Sequence, residues 1–342
     1  MIKVLVVDDS AVMRAFLSRV ISSQPDMELA AVAADPVLAI DRIRLKAPDV
    51  ITLDVEMPRM NGLDFLARLM SVRPLPVIMI SSLTRQGADT TLRALELGAV
   101  DFFAKPANLA ELEGSVHEIA EKIRAAGLAR VVRHRLHTPV RALPPVAHAR
   151  GPAATDAVIG IGASTGGVEA LREILVNLPV QMPPILIAQH MPPGFTETFA
   201  KRLDSICQIG VAEARDSQPA CHGMAYIAPG GKHLMLARRM GGYLLRVTDE
   251  PPVNRHRPSV DPLFRSIAKV AGARAIGVML TGMGADGAEA MLEMSRCGAH
   301  TIAQDEATSV VFGMPRQAIA LGGVREVLPL GEMAHRLATL TT

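Results

Sequence analysis

Two α/β domains joined by a basic tether are what the sequence predicts, and three observations carry that prediction. The chain has 342 residues, and at roughly 150 residues per domain this length accommodates two cores. Short apolar runs alternate with segments whose apolar residues recur three and four apart, the pattern of βα units and of a parallel sheet covered on both faces. Between Lys122 and Thr155 there is no acidic residue, while Lys122, Arg124, Arg130, Arg133, Arg135, Arg141 and Arg150 are positive. This stretch also holds Pro139, Pro144, Pro145 and Pro152 and loses its periodicity after about Val132. It reads as a semi-extended linker over 123–154, separating a unit over 1–122 from one over 155–342.

In the first unit, strands are expected at Lys3–Val7, Glu28–Ala34, Asp49–Leu53, Pro76–Ser81 and Asp101–Ala104. Helical spacing fills the gaps, most clearly at Ala11–Ile21 and Thr90–Leu97, so five strands alternate with five helices. The second unit opens the same way, with Ala157–Ala163 and Ile185–Gln189 each leading into a helix. A hairpin then interrupts, His233–Arg238 and Tyr243–Val247 flanking Gly241-Gly242. Alternation resumes with Ala275–Leu280, a helix after Asp286, and His300–Gln304.

Composition narrows the function classes. Apolar residues are 49% and charged residues 20% of the chain, an ordinary globular balance. The net charge is 36 − 34 = +2, which gives no overall pull toward nucleic acid or membrane. There is no Trp, so stacking platforms for single strands are not expected. Cys207, Cys221 and Cys297 form no CxxC pair, which argues against a disulfide scaffold or thiolate metal site. No apolar run approaches the length of a membrane span or a signal-peptide core. A cytoplasmic monomer without direct membrane insertion is expected.

Ligands of open parallel sheets bind outside the carboxyl ends of the strands. Asp8 and Asp9 end the first strand, Asp54 the third, Ser81 the fourth and Lys105 the fifth, so these polar groups share one edge. Each has an ordinary alternative, since Asp8-Asp9 can cap the helix near Ser10 and Lys105 can be a surface lysine. Together they make an acidic pocket whose carboxylates repel unless a cation joins them, and hard oxygen donors suit Mg²⁺. Lys105, before Pro106, can reach across toward a phosphoryl oxygen.

With Met57-Pro58, Asn61-Gly62 and Phe102, these residues make the first 120 or so resemble the receiver domain of two-component response regulators. The resemblance implies a flavodoxin-like five-stranded parallel sheet in which Asp54 accepts a phosphoryl group from a histidine kinase. It further implies Mg²⁺ held by Asp9, Asp54 and the backbone carbonyl of Glu56 with Asp8 in support, and Ser81 and Phe102, with Lys105, as the switch that reports phosphorylation.

In the second unit, residues 160–167 read Gly-Ile-Gly-Ala-Ser-Thr-Gly-Gly between a strand and a helix. A dinucleotide fingerprint fits poorly, because the glycines are spaced GxGxxxG and the next strand ends in Gln189-His190 rather than an acid. Gly162-Ala-Ser164-Thr-Gly166 matches a GxSxG turn that exposes a serine oxygen beside helix-end N–H groups. Ser164 could instead merely cap the following helix. A nucleophilic serine needs a base and an orienting acid. His190, ending the neighbouring strand, is the better base, and His256 between two arginines is its rival. For the acid, Asp286 follows a glycine-rich loop. It also opens a capping-box pattern, Asp-Gly-Ala-Glu289, and Asp261 and Asp305 remain rivals. The order Ser, His, Asp departs from that of α/β-hydrolases.

The motifs Gly-Ala-Ser164-Thr-Gly-Gly, Gln189-His190-Met-Pro, Ala228-Pro-Gly, Arg257-Pro-Ser-Val-Asp261 and Thr281-Gly-Met-Gly-Ala-Asp286-Gly resemble the catalytic domain of chemotaxis protein-glutamate methylesterases, the CheB family. That likeness implies a doubly wound α/β domain with an antiparallel hairpin. The implied activity is hydrolysis of γ-glutamyl methyl esters on chemoreceptor helices, with receptor glutamine deamidation as a second one. Ser164, His190 and Asp286 would be catalytic, backbone N–H groups around Thr165 and Met283 would hold the oxyanion, and no cofactor would be needed for the ester chemistry. The unphosphorylated receiver would cover the Ser164 site. Two other classes compete: a DNA-binding regulator, whose helix-turn-helix pattern is missing after residue 156, and a catalytically inactive docking or adaptor protein.

Overall fold

A computed structural model describes residues 1–57, 60–82, 84–106, 109–129, 131 and 157–341. The chain divides into two compact units. Most of the basic stretch expected to be a linker lies outside the described residues. Its first residues continue a helix that runs to Leu128, beyond the expected boundary at 122.

The first unit has strands β1 (Ile2–Val7), β2 (Met27–Ala33), β3 (Val50–Asp54), β4 (Val77–Ser81) and β5 (Asp101–Ala104). Helices α1 (Ala11–Ser22), α2 (Pro36–Lys46), α3 (Gly62–Val72) and α4 (Arg85–Glu96) connect them, and α5 (Leu109–Gly114) and α6 (Val116–Leu128) follow. The sheet order is β2-β1-β3-β4-β5 with every pair parallel. β3 and β4 are buried at every position, as strands covered on both faces must be. Strand order reverses between β1 and β3, and the crevice at that switch point receives Asp8, Asp9 and Asp54. Ser10 caps α1, accepting from the Met13 N–H at 3.4 Å, which leaves the two preceding aspartates to the crevice.

The second unit is built on a seven-stranded parallel sheet ordered β14-β13-β12-β6-β7-β9-β8. Its strands are β6 (Val158–Ala163), β7 (Ile185–Gln189), β8 (Gly210–Glu213), β9 (Met224–Ile227), β12 (Ala275–Met279), β13 (His300–Gln304) and β14 (Glu326–Leu328). The separate hairpin pairs β10 (His233–Arg239) with β11 (Gly242–Thr248). Helices α7 (Gly167–Val176), α8 (Phe195–Asp204), α9 (Val260–Ala271), α10 (Ala288–Arg296), α11 (Met314–Ala320) and α12 (Leu330–Leu340) complete it. From β6 the chain builds outward on one side through β7, then returns to lay β12 on the other. The switch point therefore falls between β6 and β12.

Helix α9 buries Val260, Leu263, Phe264 and Ile267 in one core with Leu234, Leu236, Tyr243 and Leu245 of the hairpin. At about 1.5–3 kcal/mol for each large apolar side chain, this cluster anchors both elements. Two glycines of β6 admit α9. A Cβ on Gly160 would lie 2.6 Å from Ile267 Cδ1, and one on Gly162 would lie 2.4 Å from Val260 Cγ1. The glycine pattern thus serves helix-on-strand packing rather than a dinucleotide. Among the described residues, no helix is long and apolar enough to cross a membrane.

Candidate active site and phosphoacceptor pocket

Ser164 leaves β6 at the switch point, held between two strand ends. Its N–H donates to the Thr281 carbonyl beyond β12 at 3.0 Å. Gln189, at the end of β7, donates from Nε2 to the Ser164 carbonyl at 3.0 Å. Gly166, with φ of 79°, turns the chain into α7, and a Cβ there would lie 2.6 Å from Val310 Cβ. Glycine thus takes the capping position of α7. The serine hydroxyl is left to the cleft, and the simple capping role for Ser164 does not hold.

His190 begins the loop after β7. Its Nδ1 lies 3.1 Å from Ser164 Oγ and its Nε2 2.8 Å from Asp286 Oδ2. Of the other expected acid candidates, Asp261 lies on α9 and shares the Asn254 amide with Asp286, and Asp305 accepts from Thr308 N at 3.0 Å in the loop after β13. His256 does not replace His190 but stacks on it, with ring centroids 3.8 Å apart and planes 11° from parallel.

Asp286 is not the cap of its own helix. Gly287, with φ of 82°, takes the capping position of α10, and the Asp286 carboxylate turns to four donors. Oδ1 accepts from Asn254 Nδ2 and Ser259 Oγ, each at 2.7 Å, and Oδ2 accepts from His190 Nε2 at 2.8 Å and the Val260 N–H at 2.7 Å. Val260 opens α9, so Asp286 caps a helix distant in sequence. Burial by itself would raise this carboxyl. The hydrogen bond and charge of His190, with the bonds from Asn254 and Ser259, override burial and hold it well below the usual carboxylate range. Sequence reasoning missed Asn254, Ser259 and the Val260 N–H. Asn254 lies two residues before His256, which the sequence did single out.

Of the expected oxyanion donors, Thr165 follows Ser164 and is buried. Met283 belongs to the loop after β12. That loop runs alongside the serine, since a Cβ on Gly282 would come within 2.8 Å of Ser164 Cβ.

In the first unit, Asp8, Asp9 and Asp54 each offer a carboxylate oxygen, and these oxygens lie within 4.8 Å of one another. Lys105 Nζ is 2.7 Å from Asp54 Oδ2 and 3.4 Å from Asp8 Oδ2, and the latter oxygen is buried with no hydrogen-bond partner. Burial pushes the Asp54 carboxyl up to about 6, and the nearby Asp8 charge adds to this against the pull of Lys105. Burial also raises Asp8. Glu56 donates its N–H to Asp54 Oδ1 at 3.2 Å. The Ser81 hydroxyl turns toward α4, at 3.2 Å from the Gly87 carbonyl and 2.7 Å from Thr91 Oγ1. Phe102 is buried, with Lys122 Nζ 5.6 Å from its ring centre.

Fold and site together define a class: a receiver-type phosphoacceptor unit joined to an α/β serine hydrolase. The family model for CheB methylesterase matches residues 159–337 and that for the response regulator receiver domain matches residues 4–117. The chain belongs to the CheB methylesterase family. A protein-glutamate methylesterase/protein-glutamine glutaminase of Burkholderia lata is 56% identical, covering 100% of this chain and 96% of its own. The one from Salmonella typhimurium is 54% identical, covering 98% of this chain and 96% of its own. The crystal structure of the Thermotoga maritima CheB methylesterase catalytic domain, 40% identical, covers 54% of this chain and 98% of its own, with a TM-score of 0.53.

Proposed function

We propose that this protein hydrolyses γ-glutamyl methyl esters on the cytoplasmic helices of chemoreceptors, under control of phosphorylation at Asp54. The observation that carries the reading is the unbroken line from Ser164 Oγ through His190 to Asp286 at the β6/β12 switch point. An inactive adaptor has no use for a hydroxyl, an imidazole and an ionised carboxylate so aligned.

The geometry suits acyl transfer. Ser164 Oγ attacks the ester carbonyl carbon while His190 Nδ1 takes its proton. The oxyanion forms against the backbone N–H groups of Thr165 and Met283, each such donor being worth roughly 3–4 kcal/mol. His190 returns the proton to the methoxy oxygen, the C–O bond breaks and methanol leaves. Water, deprotonated by His190, then releases the glutamate γ-carboxylate and restores Ser164. Asp286 holds the His190 proton on Nε2 and stabilises the imidazolium. A glutamine side chain is nearly isosteric with the ester, so the same cycle with ammonia as leaving group accounts for deamidation.

In the receiver, a histidine kinase is the phosphoryl donor. The phosphorus–nitrogen bond of its phosphohistidine breaks as a bond to an Asp54 oxygen forms. Asp9, Asp54 and the Glu56 carbonyl would hold Mg²⁺, with Asp8 in support. Asp8 Oδ2, which accepts no hydrogen bond, and the all-oxygen donor set fit that ion. Bound there, it would neutralise the carboxylates and the incoming phosphoryl charge. Lys105 supplies a second positive charge on the same side, while Ser81 and Phe102 are the residues through which the state of Asp54 is read.

The test is methanol release from methyl-esterified receptor membranes with a small-molecule phosphodonor and Mg²⁺. Wild type is expected to release methanol, Ser164→Ala none, and Asp54→Ala only a slow, unstimulated amount. No release by phosphorylated wild type would refute the substrate assignment.

A further inference from the structure

Residues Val253 to His256 form a turn closed by two backbone hydrogen bonds. The Val253 N–H donates to the His256 carbonyl at 3.1 Å, and the His256 N–H donates to the Val253 carbonyl at 2.9 Å. Its central residues, Asn254 and Arg255, have φ of 51° and 66°. Such turns favour Asn or Asp followed by Gly, and a side chain on left-handed backbone is unfavourable. Two consecutive residues of this kind persist where the surroundings over-determine them, commonly at functional sites.

This turn presents two side chains to the site. The Asn254 amide nitrogen, with two hydrogens, reaches Asp286 Oδ1 at 2.7 Å and Asp261 Oδ2 at 2.8 Å. Those carboxylates exchange helix caps: Asp286, before α10, accepts from Val260 at the start of α9, while Asp261 of α9 accepts from the Ala290 N–H of α10 at 3.3 Å. Asn254 therefore sits between two carboxylates that tie α9 and α10 together. His256 lies flat on His190. An imidazole held only at its two nitrogens can still tilt about the line joining its partners, and a flat ring against one face stops that tilt.

We propose that Asn254 and His256 are positioning residues for the hydrolytic reaction: the turn sets the tilt of His190 through the His256 ring and the place of Asp286 through the Asn254 amide. Both act through other side chains, Asn254 on Asp286 and Asp261 and His256 on His190. This rests on Ser164, His190 and Asp286 forming the hydrolytic relay. The distinguishing feature is that His256 acts by its flat face, so another flat ring should replace it.

The test uses the full-length protein and a fluorophosphonate, which reports serine activation without the natural substrate. The second-order rate of labelling at Ser164 is measured for wild type, His256→Ala, His256→Phe and Asn254→Ala, with thermal unfolding to establish that each is folded. A displaced base slows the reaction by about tenfold or more. His256→Ala and Asn254→Ala should fall to that extent, and His256→Phe should stay within about threefold of wild type. In methyl-ester hydrolysis the same variants should lose kcat and keep KM. Labelling of His256→Ala at the wild-type rate, or of His256→Phe as slowly as His256→Ala, overturns the positioning role of the ring. A folded Asn254→Ala that labels normally overturns that of the amide. Wild type that labels at Ser164 yet releases no methanol would refute the substrate reading while leaving the positioning result standing. Wild type that does not label overturns both.

Discussion

Replacing Asp286 with asparagine keeps the side-chain volume and removes one charge, which makes it the sharpest probe of the relay. The carboxylate accepts from four donors, two on each oxygen. An amide has only one acceptor oxygen, so its NH₂ group must face one pair. Facing the Oδ2 pair, it would oppose the Val260 N–H. It would also oblige His190 Nε2 to accept, moving the imidazole proton to the nitrogen beside Ser164. Facing the Oδ1 pair, it opposes only the Asn254 amide, because the Ser259 hydroxyl can turn to accept. Each orientation thus leaves one donor opposed, and the second is favoured because it alone spares His190 the change of tautomer. His190 then keeps its tautomer and loses only the charge opposite it. Two unit charges about 4 Å apart at an effective dielectric of ~20 interact by ~4 kcal/mol, which is about a 10³-fold change in rate. Asp286→Asn should therefore lower kcat for methyl-ester hydrolysis by about 10³, against about 10⁴ had the tautomer been lost, with KM little changed. The assay is steady-state methanol release on receptor membranes. A loss smaller than about tenfold would refute the assignment of Asp286 as the imidazolium's counter-charge.

Other consequences follow from the same geometry. Because the Asp286 carboxyl is held below its unfolded value near 3.9, its ionisation stabilises the fold above that pH, and the stabilisation disappears as pH falls through the folded value. Asp286→Asn should accordingly lose more stability at pH 7 than at pH 2, measured by urea unfolding, and an equal loss at both would contradict this. Gly282→Ala places a Cβ 2.4 Å from Met314 Sδ and 2.8 Å from Ser164 Cβ. Displacing the Met283 loop should reduce kcat by about 10², while circular dichroism remains that of a folded protein. Burial pushes the half-buried Cys207 thiol up to about 11, so about one molecule in 10³ carries its thiolate at pH 8. Iodoacetamide followed by peptide mapping should therefore find exposed Cys221 and Cys297 alkylated first; early alkylation of Cys207 would refute that burial.

Legibility in the sequence followed the range of the interactions involved. β7 and β13 begin and end where the apolar runs predict, and the strand-end rule placed Asp8, Asp54, Ser164 and His190 on their edges because it needs only local pattern. β8, β9 and β14 were missed because three or four residues carry too little alternation to stand out. The capping-box reading of Asp286 failed for a definite reason: Asp-Gly-Ala-Glu satisfies the local rule, but Gly287 adopts the left-handed conformation and takes the cap position itself. That releases the carboxylate to residues 26 to 96 positions away in sequence. Asn254 was missed likewise, since its two partners lie 7 and 32 residues further along the chain.

The two units treat one residue type in opposite ways, and burial does not explain the difference. Asp54 is 2% exposed and Asp286 4%, yet burial carries the first up to about 6 while the second stays below the ordinary range. What differs is the supply of donors. Asp286 receives four hydrogen bonds, one of them from His190, which the proposed reaction would make a cation. Asp54 receives the Glu56 N–H at 3.2 Å and the Lys105 ammonium at 2.7 Å, and faces a second buried carboxylate in Asp8. A carboxylate with every lone pair engaged is a good electrostatic anchor and a poor nucleophile. One with few donors and a like charge beside it keeps an oxygen available for phosphorus and favours any added positive charge. Asp8 Oδ2, buried without a hydrogen bond, reflects the same shortage. On the proposed roles, Asp286 is placed to anchor charge and Asp54 to accept a phosphoryl group.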